Sequence, residues 1–309
     1  MADVNYTFFL SLTIIALGFI LKKSQIISEK NGRAIAKIVF NATLPALIFN
    51  TVISIEITPS LSLLSIIPII YALLVFLFSY LLYRNSDKLV KGLSLMSVIG
   101  FNVVHLAFPL IQGIWGSVGL KYIAMFDIAN GFVIFVLCYL IGSIFSPKNE
   151  TEDKRQIFKN SLKKLITSGP LIAYIVGLPL NLLGVIIPTF LVDIMETLGR
   201  ANSALTLLLL GIFLNFKFKK SKWKHILKIL GIRYGFGFTI GLILFFTLPF
   251  ELLYRGILSI ALILPIGLAI IPFSVEFEYD EVLAGMVINL SIIISFGSMW
   301  LLILLLGFG

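Results

Sequence analysis

The sequence predicts an all-α integral membrane protein of ten transmembrane helices, arranged as two inverted five-helix repeats with proline-broken helices four and nine. Three observations predict it: an excess of apolar residues, their spacing in runs of membrane length, and basic residues gathered into alternate loops. Of 309 residues, 59% are hydrophobic and 13% charged, with a mean hydropathy of +1.06. A soluble domain carries about 25% charged residues, and no single core could bury this much apolar surface. The lipid bilayer is therefore the first expected partner.

A helix needs about 20 apolar residues to cross ~30 Å of hydrocarbon, and ten stretches meet this length, at about 6–21, 34–53, 61–83, 90–114, 121–144, 163–183, 189–214, 226–249, 253–273 and 282–307. The first run has no basic residue before it. A secretory signal needs a basic n-region and a small-residue cleavage site, so this run reads as a retained span.

The basic residues fix the orientation. Lys22, Lys23, Lys30, Arg33 and Lys37 follow span one, and Arg84, Lys88 and Lys91 follow span three. Lys148, Lys154, Arg155, Lys159, Lys163 and Lys164 lie in or beside the polar stretch SPKNETEDKRQIFKNS. Lys217, Lys219, Lys220, Lys222, Lys224, Lys228 and Arg233 follow span seven, which leaves Lys121, Arg200 and Arg255 for the other side. The positive-inside rule then places the odd loops in the cytoplasm and both termini outside a multi-pass cell-membrane protein. The net charge of +9 is accounted for by orientation, and no nucleic acid partner is expected. The acidic run Glu276, Glu278, Asp280 and Glu281 is discordant, since it falls inside with no basic partner evident.

Five spans, a polar linker and five more spans divide the chain into 1–145, 146–162 and 163–309. An odd number of crossings inverts the second half. Shifting span four forward by 163 positions places Pro109 on Pro272 and Asn102 on Pro265. Proline has no N–H, so Pro109 deprives the His105 carbonyl of its helical partner, and Pro265 and Pro272 do the same to Ala261 and Leu268. Freed backbone groups in hydrocarbon cost several kcal/mol each unless protein or water satisfies them. Broken helices in corresponding spans of two halves are where transporters hold solutes, with half-helix N-termini facing an anion. Asn102 can add amide donors there. A kink satisfied by neighbouring helices accounts equally well for any one of these prolines.

Other polar residues join the candidate set. Asn41, Thr43 and Pro45 form a patch in span two, suited either to ligand contact or to interhelical hydrogen bonding. Asp127 and Asn130, three apart, share a face of span five. A carboxylate in a span is a functional candidate for a proton or cation, although a position about two turns into its span also suits the membrane interface. His105 shares a face with Asn102 and changes charge near neutral pH, or else serves the kinked backbone. Arg200 is spaced to pair with Glu196 and could instead neutralise an anionic substrate. Asn289 and Ser291 complete the set in span ten.

The absences bound the chemistry. The sequence holds two histidines, His105 and His225, one cysteine, Cys138, and no GxxxxGK[ST] or HExxH motif. ATP hydrolysis, zinc proteolysis and cysteine-based metal binding are not expected, so no metal, no cofactor and no enzyme is predicted.

ATLPALIFN in span two, NVVHLAFPL in span four, GLKYIAMFDIANGF in span five, LGRANSALTLLLLGIFL in span seven and LPIGLAIIPF in span nine resemble, in order and spacing, the auxin efflux carrier family. That family includes plant auxin exporters and microbial malate or malonate permeases, and the resemblance covers essentially the whole chain. It implies that helices four and nine cross at mid-membrane, and that a small organic anion is carried by an elevator-like movement of a transport domain against a scaffold. It also implies that Asn102 and Pro265 sit at the crossover, with Asp127 and Asn130 on the nearby polar face. The expected activity is secondary transport of a small carboxylate, by uniport or coupled to H+, with Na+ coupling as the variant. A channel and a non-transporting receptor are the rivals. Substrate, coupling ion and oligomeric state, a homodimer included, are left open by the sequence.

Overall fold

The computed structural model describes residues 3–146, 154–215 and 219–309. The predicted loop residues Lys148 and Lys217 lie outside the described residues. The described chain is helical throughout, and its only β pairing is an isolated bridge between Phe101 and Ile266. Among the described residues, six helical runs are long and apolar enough to cross a membrane: Val4–Lys23, Glu29–Ile53, Pro59–Leu82, Val103–Phe145, Lys220–Thr247 and Glu281–Leu306. A seventh is added if Phe158–Ile166 and Gly169–Leu182, bent by 66°, form one span.

The difference from ten predicted stretches has local causes. Predicted span four is split, its first part being α6 (Lys88–Ile99), while its second part runs on into span five. Predicted span nine is divided into α13 (Leu252–Leu262) and α14 (Ile270–Glu276), each too short to cross alone. Predicted span seven is a full-length helix, α11 (Thr189–Phe213), whose apolar run is interrupted by Asp193, Glu196 and Arg200.

The prolines do not all act as expected. Pro109 does not break the chain. A helix runs through it from Val103, widened into a π turn over Val103–Ala107, and continues as α7 (Phe108–Phe132). Widening absorbs the missing N–H without ending the helix. The same pairing recurs at Pro45, where a π turn over Val39–Thr43 joins α2 (Glu29–Ile38) to α3 (Leu44–Ile53). Pro272 lies in the first turn of α14, where its missing N–H would be unpaired anyway. The true breaks are Gly100–Asn102, upstream of Pro109, and Ile263–Ala269, which contains Pro265. Within α7 the chain turns at Gly116, whose φ of 59° and ψ of −144° suit glycine alone.

Two packing groups emerge. α1 (Val4–Lys23) lies on α11, which also packs on α3, and α3 packs on α10 (Gly169–Leu182). In the other group α12 (Trp223–Thr247) packs on α13, α6 and α15 (Glu281–Leu306), and α5 (Ile67–Leu82) packs on α6. α7 touches members of both. Small residues let α1 and α11 approach closely: a Cβ on Gly211 would collide with the Ile15 carbonyl, and one on Gly18 with that of Leu208. Gly211→Val is therefore expected to destabilise the protein by about 1–3 kcal/mol, read as a lower melting temperature in detergent. An unchanged melt would mean that α1 does not need this contact.

Ion pairs join segments distant in sequence. Lys164 lies 2.5 Å from Glu276, and Lys222 lies 2.5 Å from Asp280. The acidic run thus has basic partners after all, supplied by segments distant in sequence. Lys22 and Glu29 meet near the same loops, at 3.4 Å. At the opposite chain ends, Trp300 donates to Asn5 at 2.8 Å and Trp115 to the Phe308 carbonyl at 3.1 Å, so the two termini lie side by side.

Candidate functional site

The two breaks meet each other. The Asn102 N–H donates to the Pro265 carbonyl at 2.8 Å, the Gly267 N–H donates to the Gly100 carbonyl at 3.4 Å, and Phe101 and Ile266 form the antiparallel bridge. Each interruption thereby satisfies part of the backbone that the other exposes, which answers the cost of broken helices in hydrocarbon. The tip of the Ile134 side chain packs against both Gly100 and Gly267, so a larger residue at either position would have to push Ile134 aside.

Side chains complete the accounting. Asn130 clamps Phe101 twice, accepting from its N–H and donating to its carbonyl, each at 3.0 Å. Its amide also donates to Asp127 Oδ1 at 3.2 Å, which ties the carboxylate to the crossing point. The Ser291 hydroxyl accepts from the Ile266 N–H at 3.0 Å. Arg233, fully buried, donates to the carbonyls of Leu264 and Pro265 at 2.7–3.0 Å, and to those of Ser97 and Val98 at 3.2–3.3 Å. Its place in α12 removes it from the loop charges with which the sequence grouped it.

Asn102 caps the helix that begins at Val103. Its Oδ1 accepts from the His105 N–H at 3.3 Å and from His105 Nδ1 at 3.0 Å. Because a backbone N–H can only donate, the atom facing it must be the oxygen, and this fixes the orientation of the amide. Asn102 Nδ2 is left buried without a hydrogen-bond partner among the described residues. An unmet buried donor of this kind calls for a ligand or a water.

A cavity of about 820 Å³ opens beside these groups. Asn102, His105, Asp127, Asn130 and Asn289 all line it, and Glu29, Arg33 and Glu276 stand where it reaches the lysine-rich end. Asp127 and His105 are 6% exposed, and Asp127 is buried within the protein on the cavity wall. Tyr174, on α10 of the first packing group, donates to the Ala124 carbonyl at 3.0 Å and reaches Asp127 Oδ2 at 3.5 Å. Asn289 donates to the Gly285 carbonyl at 2.8 Å and accepts from the Asn215 N–H at 3.2 Å.

The remaining predicted residues lie elsewhere. Asn41 faces outward and donates to the Lys37 carbonyl at 2.8 Å. Its neighbour Thr43 donates to Asn202 at 3.1 Å, joining α3 to α11. Arg200 is paired with Glu196 at 2.5 Å and lines a second cavity, of about 840 Å³, together with Lys121, Glu251 and Glu56. Between the two groups, the Ser203 hydroxyl on α11 donates to Gln112 on α7 at 2.5 Å. Pro109 is buried within its helix, and Pro265 supplies a carbonyl to the crossing. Sequence reasoning missed Arg233 and Tyr174 as site residues. The signal for Arg233 was its depth, well past the start of predicted span eight.

A family model described as membrane transport protein matches residues 8–303. The chain is also 24% identical over 296 residues to an uncharacterized transporter of Methanothermobacter thermautotrophicus, covering 93% of each protein.

Proposed function

Because the chain belongs to this membrane transport protein family, that of the auxin efflux carriers, we propose that it is a secondary carrier of a small organic anion, a mono- or dicarboxylate. The observation that carries this reading is the unpartnered, buried Asn102 amide at a helix N-terminus, on a residue that lines a cavity at the crossing of two broken helices. The N-terminus contributes about half an elementary positive charge, and backbone N–H groups with a side-chain amide form an anion site.

The proposed architecture is ten crossings in two inverted halves, 1–145 and 163–309, joined by a cytoplasmic linker at 146–162, with both termini outside. The meeting of Asn102 with Pro265 supports it, since a 163-residue shift places these two residues in equivalent positions and their backbones touch. In this arrangement α1, α3, α10 and α11 form the scaffold. The crossing helices and α5, α12 and α15 form the part that moves, with Asp127 and His105 as the proton-coupling candidates. The 820 Å³ cavity is then the inward access path and the 840 Å³ cavity, with Arg200, the outward vestibule.

The test is uptake of labelled acetate, indole-3-acetate, malate and malonate into proteoliposomes holding the full chain, with a labelled amine as control. Saturable uptake of one acid and none of the amine is expected. Flux that rises linearly with concentration would identify a channel instead, and no flux of any acid would leave the receptor reading.

A further inference from the structure

We propose that Arg233 is a tethered counter-cation at the crossover, holding the place that a coupling Na+ would otherwise take. This rests on the reading of the crossover as the transport site. Two helices end there: α6 at Ile99 and α13 at Leu262. Each C-terminus carries about half a negative charge, so the pair presents about one, which a single guanidinium matches. In carriers with interrupted helices, such freed carbonyls are the groups that coordinate Na+ or H+.

In this chain the guanidinium already occupies them. Its bonds run to Ser97 and Val98 in the last turn of α6, and to Leu264 and Pro265 just beyond α13. One rigid fork therefore ties together the ends of both broken helices, a geometry that a lysine ammonium cannot reproduce. The ring of Phe101, 4.7 Å from the guanidinium carbon, lies against it. Phe101 lines the cavity and Arg233 does not. Arg233 is thus a positioning residue: it holds the crossing backbone behind Phe101, while Asn102 meets the solute. Among the described residues, every hydrogen bond of its guanidinium goes to main chain and none to a carboxylate.

The carrier should therefore run without sodium. The experiment measures counterflow of whichever labelled acid the wild type exchanges, in NaCl and in choline chloride, for the wild type, Arg233→Lys, Arg233→Gln and Arg233→Ala. Wild-type flux is expected to be equal in the two salts. Arg233→Gln, which retains donors but not charge, is expected to lose at least about tenfold in maximal rate, because carbonyls are left unmet. Arg233→Lys should keep more flux than Arg233→Gln. Low concentrations of guanidinium chloride should restore part of the flux to any Ala protein that elutes as a monodisperse peak.

Wild-type flux that collapses in choline would overturn the proposal while leaving the carrier reading intact. So would Arg233→Gln working as well as the wild type, or a folded Ala protein that guanidinium leaves unrestored. Should Ala fail to fold, the order of Lys and Gln decides. No wild-type counterflow of any acid in either salt would instead remove the carrier reading on which the proposal rests.

Discussion

Replacing Asn102 with alanine is expected to raise the KM for the transported acid by about ten- to a hundredfold, with little change in protein yield. A hydrogen bond to a charged group contributes about 1.5–3 kcal/mol, and each 1.4 kcal/mol is about a factor of ten. The Asn102 amide is free to make such a bond, since its Oδ1 is engaged by His105 and its Nδ2 is unpartnered. The substitution also removes the cap of the helix that starts at Val103, worth about 1 kcal/mol of stability, which a thermal melt would register separately. Asn102→Asp sharpens the reading. It keeps the cap but sets a carboxylate against the anion, and should lower affinity further than alanine does. A KM unchanged in both variants would remove Asn102 from the solute site.

The second large effect concerns Asp127. Asp127→Asn is expected to abolish accumulation driven by an inward proton gradient while sparing exchange of the acid across the membrane. With one proton per anion, each unit of pH difference supplies 1.36 kcal/mol, or about tenfold accumulation, and the variant should show none. Asp127 is buried on the cavity wall, with Asn130 and Tyr174 as its partners. Asparagine is nearly isosteric, so the clamp from Asn130 to Phe101 should survive. Accumulation that persists in Asp127→Asn would place the proton elsewhere, with His105 the next residue to substitute. If the wild type itself shows no dependence on the gradient, the carrier is a uniporter and Asp127 is structural.

What could be read from the sequence follows from how local each signal is. Span-length apolar runs are properties of short segments, so the helical membrane character was legible. Asn102 and Pro265 were legible because an amide and a ring within an apolar stretch are locally anomalous. The exact breaks were not. Pro109 marks a widened turn, and the chain parts instead at Gly100–Asn102, where Ile134 from a later helix packs beside Gly100 and Asn130 holds the freed backbone. Both partners come from elsewhere in the fold. Arg233 was counted with the loop charges because it sits near a run of lysines. Only tertiary structure reveals that four carbonyls from two other helices await it. The acidic residues at 276–281 were misjudged in the same way, since Lys164 and Lys222 reach them from distant segments.

The central claim is that the crossing helices move against the scaffold to carry an anion across. Gln112 on α7 touches Ser203 on α11, one element from each side of that movement. The measurement is counterflow of the exchanged acid by Gln112→Cys/Ser203→Cys in a Cys138→Ser background, before and after bridging with a short bifunctional maleimide. The free double variant should exchange the acid, and the bridged protein should not, while single-cysteine controls treated alike continue to exchange. Counterflow that survives complete bridging would contradict the account, because the solute would then cross without any movement of α7 past α11.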